Sequence, residues 1–120
     1  MSDSPDEVEA AVARFGAAFD ARDVDAIMTH MTDDCAFENT APPDGTRYEG
    51  QDAVRAAWTQ LFADSANATF TTEQQFVSGD RVVAMWRYDW AGDDPGHVRG
   101  IDVFRVRDGL VAEKVSYVKG

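Results

Sequence analysis

The segment VRGIDVFRVRDGLVAEKVSYVK, residues 98–119, decides the fold of this chain. Two runs rich in β-branched and aromatic residues flank Arg107-Asp108-Gly109, which is a turn sequence, so the segment predicts an antiparallel β-hairpin. Asp102 stands among apolar neighbours in the first of these two strands. A buried carboxylate costs several kcal/mol unless it is paired, hydrogen-bonded or protonated. Because such a cost is typical of functional sites, Asp102 is the first candidate catalytic residue.

Strand patterns continue upstream of the hairpin and are separated by short turns that contain glycine. Four consecutive antiparallel strands are predicted, at residues 70–77, 81–90, 98–106 and 110–118. A further short strand is predicted at Cys35–Asn39. The segment Thr40–Glu49 follows it and contains Pro42-Pro43-Asp44-Gly45, so we expect a loop there.

Helical patterns occupy the N-terminal half of the chain. Ser4-Pro5-Asp6-Glu7 is a capping box with proline at the first helical position, and it predicts a helix over Pro5–Ala21. Asp23 can cap a second, short helix that extends to Met31, and a third helix follows Gly50. Because the helical patterns lie mostly before the run of strands, the sequence predicts an α+β fold.

The composition limits the number of domains and the classes of partner. With 120 residues, 44% of them hydrophobic, the chain supports one domain, residues 1–120. The 22 acidic and 11 basic residues give a net charge of −11, which argues against nucleic acid and membrane partners. No basic segment is followed by an apolar run, and no stretch approaches the roughly 20 apolar residues of a membrane span. We therefore expect a cytoplasmic location.

Signals for metals and cofactors are weak. The single cysteine, Cys35, excludes an intramolecular disulfide, and its strand setting favours a buried structural thiol. Neither His30 nor His97 belongs to an H-x-x-x-H or H-x-H pattern. We expect no metal site and no cofactor.

The predicted strand over residues 81–90 carries apolar side chains on both faces, so both faces are expected to be buried. Alternation places Met85, Arg87 and Asp89 on one face. The other face carries three large aromatic residues, Trp86, Tyr88 and Trp90. Because helices cover only one side of a sheet, we predict that the aromatic face packs on a second copy of the chain and forms a homodimer. The alternative is that a loop or terminus of the same chain covers these rings.

A candidate site follows from the same alternation. Asp89 and Asp102 lie on strands joined by a short connection, so we predict that their carboxyl groups share a cavity, one acting as acid and one as base. Arg87 would hold Asp89 ionised or bind a developing oxyanion, and Asn39 would orient a carbonyl group or a water. The alternative is an internal Arg87–Asp89 ion pair, or an Asp102 bonded to backbone amides, without catalysis.

Large apolar side chains are expected to set the size of the pocket. These substrate-binding candidates are Phe15, Phe37, Trp58 and Met85. For Trp58, a place in the core is the competing interpretation. Such a pocket would take a small hydrophobic or weakly polar organic ligand.

The order and spacing of four motifs resemble the nuclear transport factor 2-like superfamily, specifically its SnoaL-like members. The motifs are D-x-D-A at residues 23–26, D-D-x-x-F at 33–37, G-x-x-A-V-R-x-x-W at 50–58 and G-x-D-x-F-R-V-x-D-G at 100–109. The resemblance covers nearly the whole chain. It implies a cone-shaped, curved antiparallel sheet packed against three N-terminal helices, with an internal pocket and usually a dimer. The same fold hosts several different reactions.

Two enzyme groups of this superfamily narrow the chemistry. Ketosteroid isomerases keep a neutral carboxylic acid on the strand position that Asp102 resembles. Their general-base aspartate falls on Asn39 and their oxyanion-hole tyrosine on Phe15, so we do not expect that isomerase mechanism. SnoaL-like polyketide cyclases have their principal acid/base aspartate at the position of Asp102. The resemblance therefore implies a proton-transfer role for this residue.

Limonene-epoxide hydrolases provide a third comparison. Asn39 and Arg87-Tyr88-Asp89 resemble three elements of their water-activating site. The tyrosine of that site falls on Phe37, and its remaining aspartate falls on Ser116, which makes Ser116 a further substrate-binding candidate. Because one carboxylate of the pair is lost, that mechanism would operate only if Asp102 or Glu38 took its place.

The sequence thus predicts a small cofactor-independent enzyme of the SnoaL-like group that uses buried carboxylates for acid/base chemistry of the isomerase or cyclase type. Its catalytic candidates are Asp102, Asp89, Arg87 and Asn39. Two alternatives stay open: water addition to an epoxide, and a non-catalytic small-molecule-binding domain.

Overall fold

The computed structural model describes residues 3–119 and contains, within them, three helices and six strands. The elements in chain order are α1 (Pro5–Asp20), α2 (Val24–Thr29), β1 (Met31–Glu38), β2 (Arg47–Glu49), α3 (Gln51–Asp64), β3 (Ala68–Ser78), β4 (Arg81–Trp90), β5 (Gly96–Arg107) and β6 (Leu110–Val118).

The six strands form one curved, open sheet in the order β2-β1-β6-β5-β4-β3. Strands β3 to β6 are consecutive and antiparallel, as the sequence predicts. Strand β1 departs from the expected antiparallel pattern because it runs parallel to β6. The long crossover between these two strands, which includes α3, makes a parallel pairing possible. The α+β class is confirmed, with helices on one face of the sheet, called here the inner face.

Side-chain caps start the first two helices where the sequence places them. The Ser4 Oγ accepts a hydrogen bond from the Glu7 backbone N–H at 3.2 Å, and the Asp23 carboxylate accepts one from Ala26 at 3.1 Å. The expected extension of the second helix to Met31 is wrong, because α2 ends at Thr29 and Met31 begins β1.

The short strand β2 lies in the segment expected to be a loop. Its three residues pair with Ala36, Phe37 and Glu38 of β1. A strand of three residues is too short to show an alternation of apolar and polar residues, so its pairing with β1 stabilises it.

The core lies between the helices and the inner face of the sheet. Helix α1 packs against β3 to β6, and α3 packs against β1 and β2. Trp58 of α3 is fully buried, with its ring 4.2 Å from that of Phe37 and 5.9 Å from that of Phe15. These aromatic contacts join α1, α3 and β1 into one hydrophobic cluster. No helix within residues 3–119 has the length and apolar character needed to cross a bilayer.

One ion pair makes the stability of this fold depend on pH in the acid range. Asp34 of β1 pairs with Arg107 at the end of β5, and the guanidinium lowers the pKa of the Asp34 carboxyl from 3.8 to about 2. Because the folded-state pKa lies below the unfolded one, this carboxylate stabilises the fold above about pH 4, and the contribution is lost as the pH falls toward 2.

We therefore expect Asp34→Asn to lower the urea midpoint at neutral pH, and the difference from wild type to narrow below about pH 4. Urea unfolding across this pH range measures the effect. The control is Asp33→Asn, because Asp33 is exposed and forms no ion pair within residues 3–119. A difference at Asp34 that stays constant down to pH 2 would contradict the assignment.

Candidate active site

A cavity of about 780 Å³ lies between helix α1 and the inner face of the sheet. Its walls are mainly apolar, and aromatic residues form much of them. The rings that line it belong to Phe15, Phe19, Phe37, Phe70, Trp86, Tyr88 and Phe104. A space of this volume with few polar groups is typical of a small-molecule site.

Asp102 places its carboxylate in the wall of this cavity. Its side chain is 13% exposed and has two partners. The Ser116 hydroxyl donates a hydrogen bond to Oδ1 at 2.6 Å, and the Lys114 Nζ lies 3.4 Å from Oδ2. These partners supply the compensation that a carboxylate among apolar neighbours requires.

Lys114 is a functional candidate that the sequence reasoning missed. It lines the same cavity and is only 6% exposed. Its ammonium nitrogen lies 5.1 Å from the ring centroids of Phe19, Phe37 and Trp58. Three ring faces and one carboxylate thus surround the charge, an arrangement that stabilises a cation away from water.

A β-bulge explains why the sequence hides Lys114. From the turn outward, Val106 pairs with Val111, but Arg105 pairs with Glu113, so Ala112 is the extra residue. The bulge turns Lys114 and Ser116 to the face that carries Asp102. A regular hairpin would place both on the outer face. The signal for the bulge is that consecutive residues 111 and 112 are both apolar.

The prediction that Asp89 and Asp102 share a cavity is wrong. Strand β4 pairs with β5 so that Ala84 lies opposite Asp102, whereas Asp89 lies opposite His97. Asp89 is therefore on the outer face of the sheet, away from the cavity. There it accepts a hydrogen bond from the Arg87 Nε at 2.9 Å. The alternative interpretation, an Arg87–Asp89 ion pair, is what the structure contains.

The predicted roles of the two faces of β4 are also inverted. Trp86 and Tyr88 line the cavity, and the Trp90 Nε1 donates a hydrogen bond to the Asp94 carbonyl at 3.0 Å. The expectation that these rings pack on a second copy is therefore wrong. Met85, expected in the pocket, lies on the outer face and is 38% exposed. Strand pairing decides the faces here, because both faces of β4 carry apolar residues.

Asn39 lines the cavity, but its side-chain oxygen has a structural role. Oδ1 accepts hydrogen bonds from the backbone N–H groups of Ala41 and Thr46, at 3.0 and 2.8 Å. These bonds hold the loop between β1 and β2. The oxygen is therefore not free to orient a substrate.

Of the predicted wall residues, Phe15, Phe37 and Ser116 line the cavity. Trp58 lies behind the wall in the core, where its ring contacts the Lys114 ammonium. Within residues 3–119, no group of three or more His, Cys, Asp or Glu side chains is placed to hold a metal ion.

Two tryptophan rings of β4 pack over glycines of the neighbouring strand β5. Trp86 lies opposite Gly100, and Trp90 lies opposite Gly96. A Cβ built on Gly100 would overlap the Trp86 ring and the Tyr117 carbonyl oxygen. Glycine is therefore required at this position, so that the indole lies over the neighbouring backbone.

We expect Gly100→Ala to lower the free energy of unfolding by about 1–3 kcal/mol, because the added methyl group displaces the Trp86 ring or separates β5 from β6. The matched control is Gly16→Ala. Gly16 also lines the cavity, but a Cβ there meets nothing within 4 Å. Since Gly16 is inside a helix, its substitution should stabilise the protein by about 0.5–1 kcal/mol. Urea unfolding of both variants measures the effects, and equal stabilities would contradict the packing argument.

Comparisons with known proteins identify the family of the chain and other proteins with the same fold. The family model described as a SnoaL-like domain matches residues 12–114. No curated protein shows a significant sequence match to the chain. A nuclear transport factor 2-like protein of unknown function from Mesorhizobium loti is 36% identical, with a TM-score of 0.85, over all of this chain and 97% of the other.

More distant structures share the fold. A proposed SnoaL-like polyketide cyclase from Jannaschia is 21% identical, with a TM-score of 0.82, over 99% of this chain and 91% of the other. TerC, crystallised with polyporic acid, is 17% identical, with a TM-score of 0.78, over 97% of this chain and 92% of the other. The family match spans most of the sequence, and the structural matches span nearly all of it. The chain therefore belongs to the SnoaL-like domain family.

Proposed function

We propose that this protein is a small enzyme that needs no cofactor and transfers protons within a small, neutral or weakly polar organic substrate, in an isomerase or cyclase type of reaction. The observation that carries the proposal is the Asp102 carboxylate, held by Ser116 and Lys114 in the wall of an otherwise apolar cavity. A positioned carboxylate of this kind serves as a general acid/base.

Each part of the site has a role in this chemistry. The Ser116 hydroxyl donates to one carboxylate oxygen and fixes the orientation of the group. The other oxygen, Oδ2, accepts the substrate proton and later returns it. The apolar walls lower the local dielectric constant and so strengthen electrostatic interactions between the charged groups and the substrate.

The nature of the ligand is supported by the cavity and by one structural neighbour. The volume of about 780 Å³ suits a small organic molecule, and the apolar walls favour one with few charges. TerC, which has the same fold, was crystallised with polyporic acid. A small organic ligand is therefore the class that we propose for this chain.

Water addition to an epoxide receives no support from the geometry. The comparison with epoxide hydrolases depends on Arg87 and Asp89 acting inside the pocket. Both side chains lie on the outer face of the sheet. Asp102 alone cannot supply both the base and the acid of that mechanism.

Deuterium exchange at carbon tests the proposed reaction. A panel of cyclic ketones and enones is first screened for binding by tryptophan fluorescence, and NMR then follows exchange of the α-protons in D₂O. For ketones that bind, we expect Asp102→Asn to slow the catalysed exchange about a hundredfold or more, because the base is lost. The control Asp33→Asn removes an exposed carboxylate remote from the cavity and should leave the rate unchanged. Equal catalysed rates for wild type and Asp102→Asn would overturn the role of Asp102, and exchange at the buffer rate with both proteins would mean that the cavity binds without turnover.

We also propose that the protein forms a homodimer through the outer face of the sheet. Three large apolar side chains are exposed there: Phe76 at 54%, Met85 at 38% and Tyr117 at 56%. Strand pairing places partly buried apolar residues between them, including Ile101 opposite Met85. An exposed apolar area of this kind is typical of an interface between copies.

Met85→Glu should convert the dimer to a monomer, because it places a carboxylate in the centre of the apolar face. Sedimentation equilibrium measures the mass. Ala56→Glu makes a similar change on the exposed side of α3 and should leave the mass unchanged. A wild-type protein that sediments as a monomer would overturn the proposal.

A further inference from the structure

The cavity contains a single positive charge among the residues that the structure describes. Its charged lining residues are Asp20, Asp64, Asp102 and Lys114. The protein as a whole has a net charge of −11 and only two lysines, so a buried lysine in this wall is unusual for the chain.

The Lys114 ammonium retains capacity to bind a ligand. An ammonium has three N–H donors. Within residues 3–119, its one carboxylate partner is Asp102, at 3.4 Å, and its other close neighbours are the aromatic rings. Ring faces attract the charge but accept no conventional hydrogen bond. Donors therefore remain for an oxygen atom of a molecule in the cavity.

Proton transfer to Asp102 changes the charge balance of this pair. While Asp102 is ionised, the pair is neutral overall. Once Asp102 has accepted a proton, the Lys114 charge is left without a partner in a site of low dielectric constant, which is costly. A negative oxygen on the substrate restores the balance at the moment when the proton moves.

We propose that Lys114 is a further catalytic residue of this site, and that its ammonium group binds the substrate oxygen on which negative charge develops when Asp102 takes a proton from a carbonyl compound. The inference rests on the proposed function of Asp102. The C–H bond next to the carbonyl breaks, and its proton bonds to the Asp102 carboxylate. The electron pair forms the enolate C=C bond, and the carbonyl oxygen takes the negative charge opposite Lys114. Protonation of the enolate at carbon then restores the Asp102 carboxylate.

Binding of para-nitrophenolate, a stable mimic of an enolate, tests this role without turnover. The protein used is Asp102→Asn, which represents the site after Asp102 has lost its negative charge. In mildly alkaline buffer, this variant should bind para-nitrophenolate more tightly than wild type does. Adding Lys114→Met should weaken the binding about tenfold or more, as expected for the loss of a charge-assisted hydrogen bond. Adding Lys119→Met, which changes the exposed second lysine, should have no effect.

A second comparison needs no change at Lys114. The Asp102→Asn protein should prefer para-nitrophenolate over para-nitrotoluene, which has a similar shape and no charge. Equal affinities for these two ligands, or unchanged phenolate binding in the Asp102→Asn/Lys114→Met protein, would overturn the role of Lys114. Failure of the proposed function would appear instead as ketone exchange that does not depend on Asp102, which is measured separately.

Discussion

The ion pair between Asp102 and Lys114 is the interaction on which the site depends. Both charges lie in the wall of an apolar cavity, where each would be costly alone, and removing one partner of such a pair typically costs about 3–5 kcal/mol. Their meeting requires neighbouring strands that present both side chains to the same face. The bulge at Ala112 meets this requirement, and the Ser116 hydroxyl completes the shell around the carboxylate.

The elements of the fold could be predicted from local patterns, whereas the contents of the site depended on strand pairing. The helix caps at Ser4 and Asp23 and the turn at Asp108-Gly109 are local signals, and the helices and the hairpin follow from them. Asp102 could be identified because a charge in an apolar strand stands out. Lys114 could not, since its face is set by a bulge that adds one residue to the strand.

The error at β4 has the same origin. Both faces of this strand carry apolar residues, so alternation alone does not indicate whether Arg87 and Asp89 or the aromatic residues face the helices. The connection between β4 and β5 decides this, because its length sets Ala84 rather than Met85 opposite Asp102. The sequence therefore shows which charged side chains need a partner, but it does not show which side chains the strand pairing brings together.

The volume of the cavity depends on the packing of the Trp86 ring over Gly100 in the neighbouring strand. A tryptophan facing inward from the sheet would usually fill the space beneath the helices. Here the ring lies over a neighbouring backbone that carries no Cβ, so it contributes an apolar wall without occupying the centre. The cavity thus depends on a residue that contributes no side chain.

The single extra residue in β6 also determines which changes in chain length this site can accept. Deleting one residue at Ala112 would restore a regular hairpin and turn Lys114 and Ser116 outward, leaving Asp102 unpaired in the cavity. A change of one residue in the length of β6 therefore rearranges the site, whereas a substitution in the cavity wall keeps the strand register.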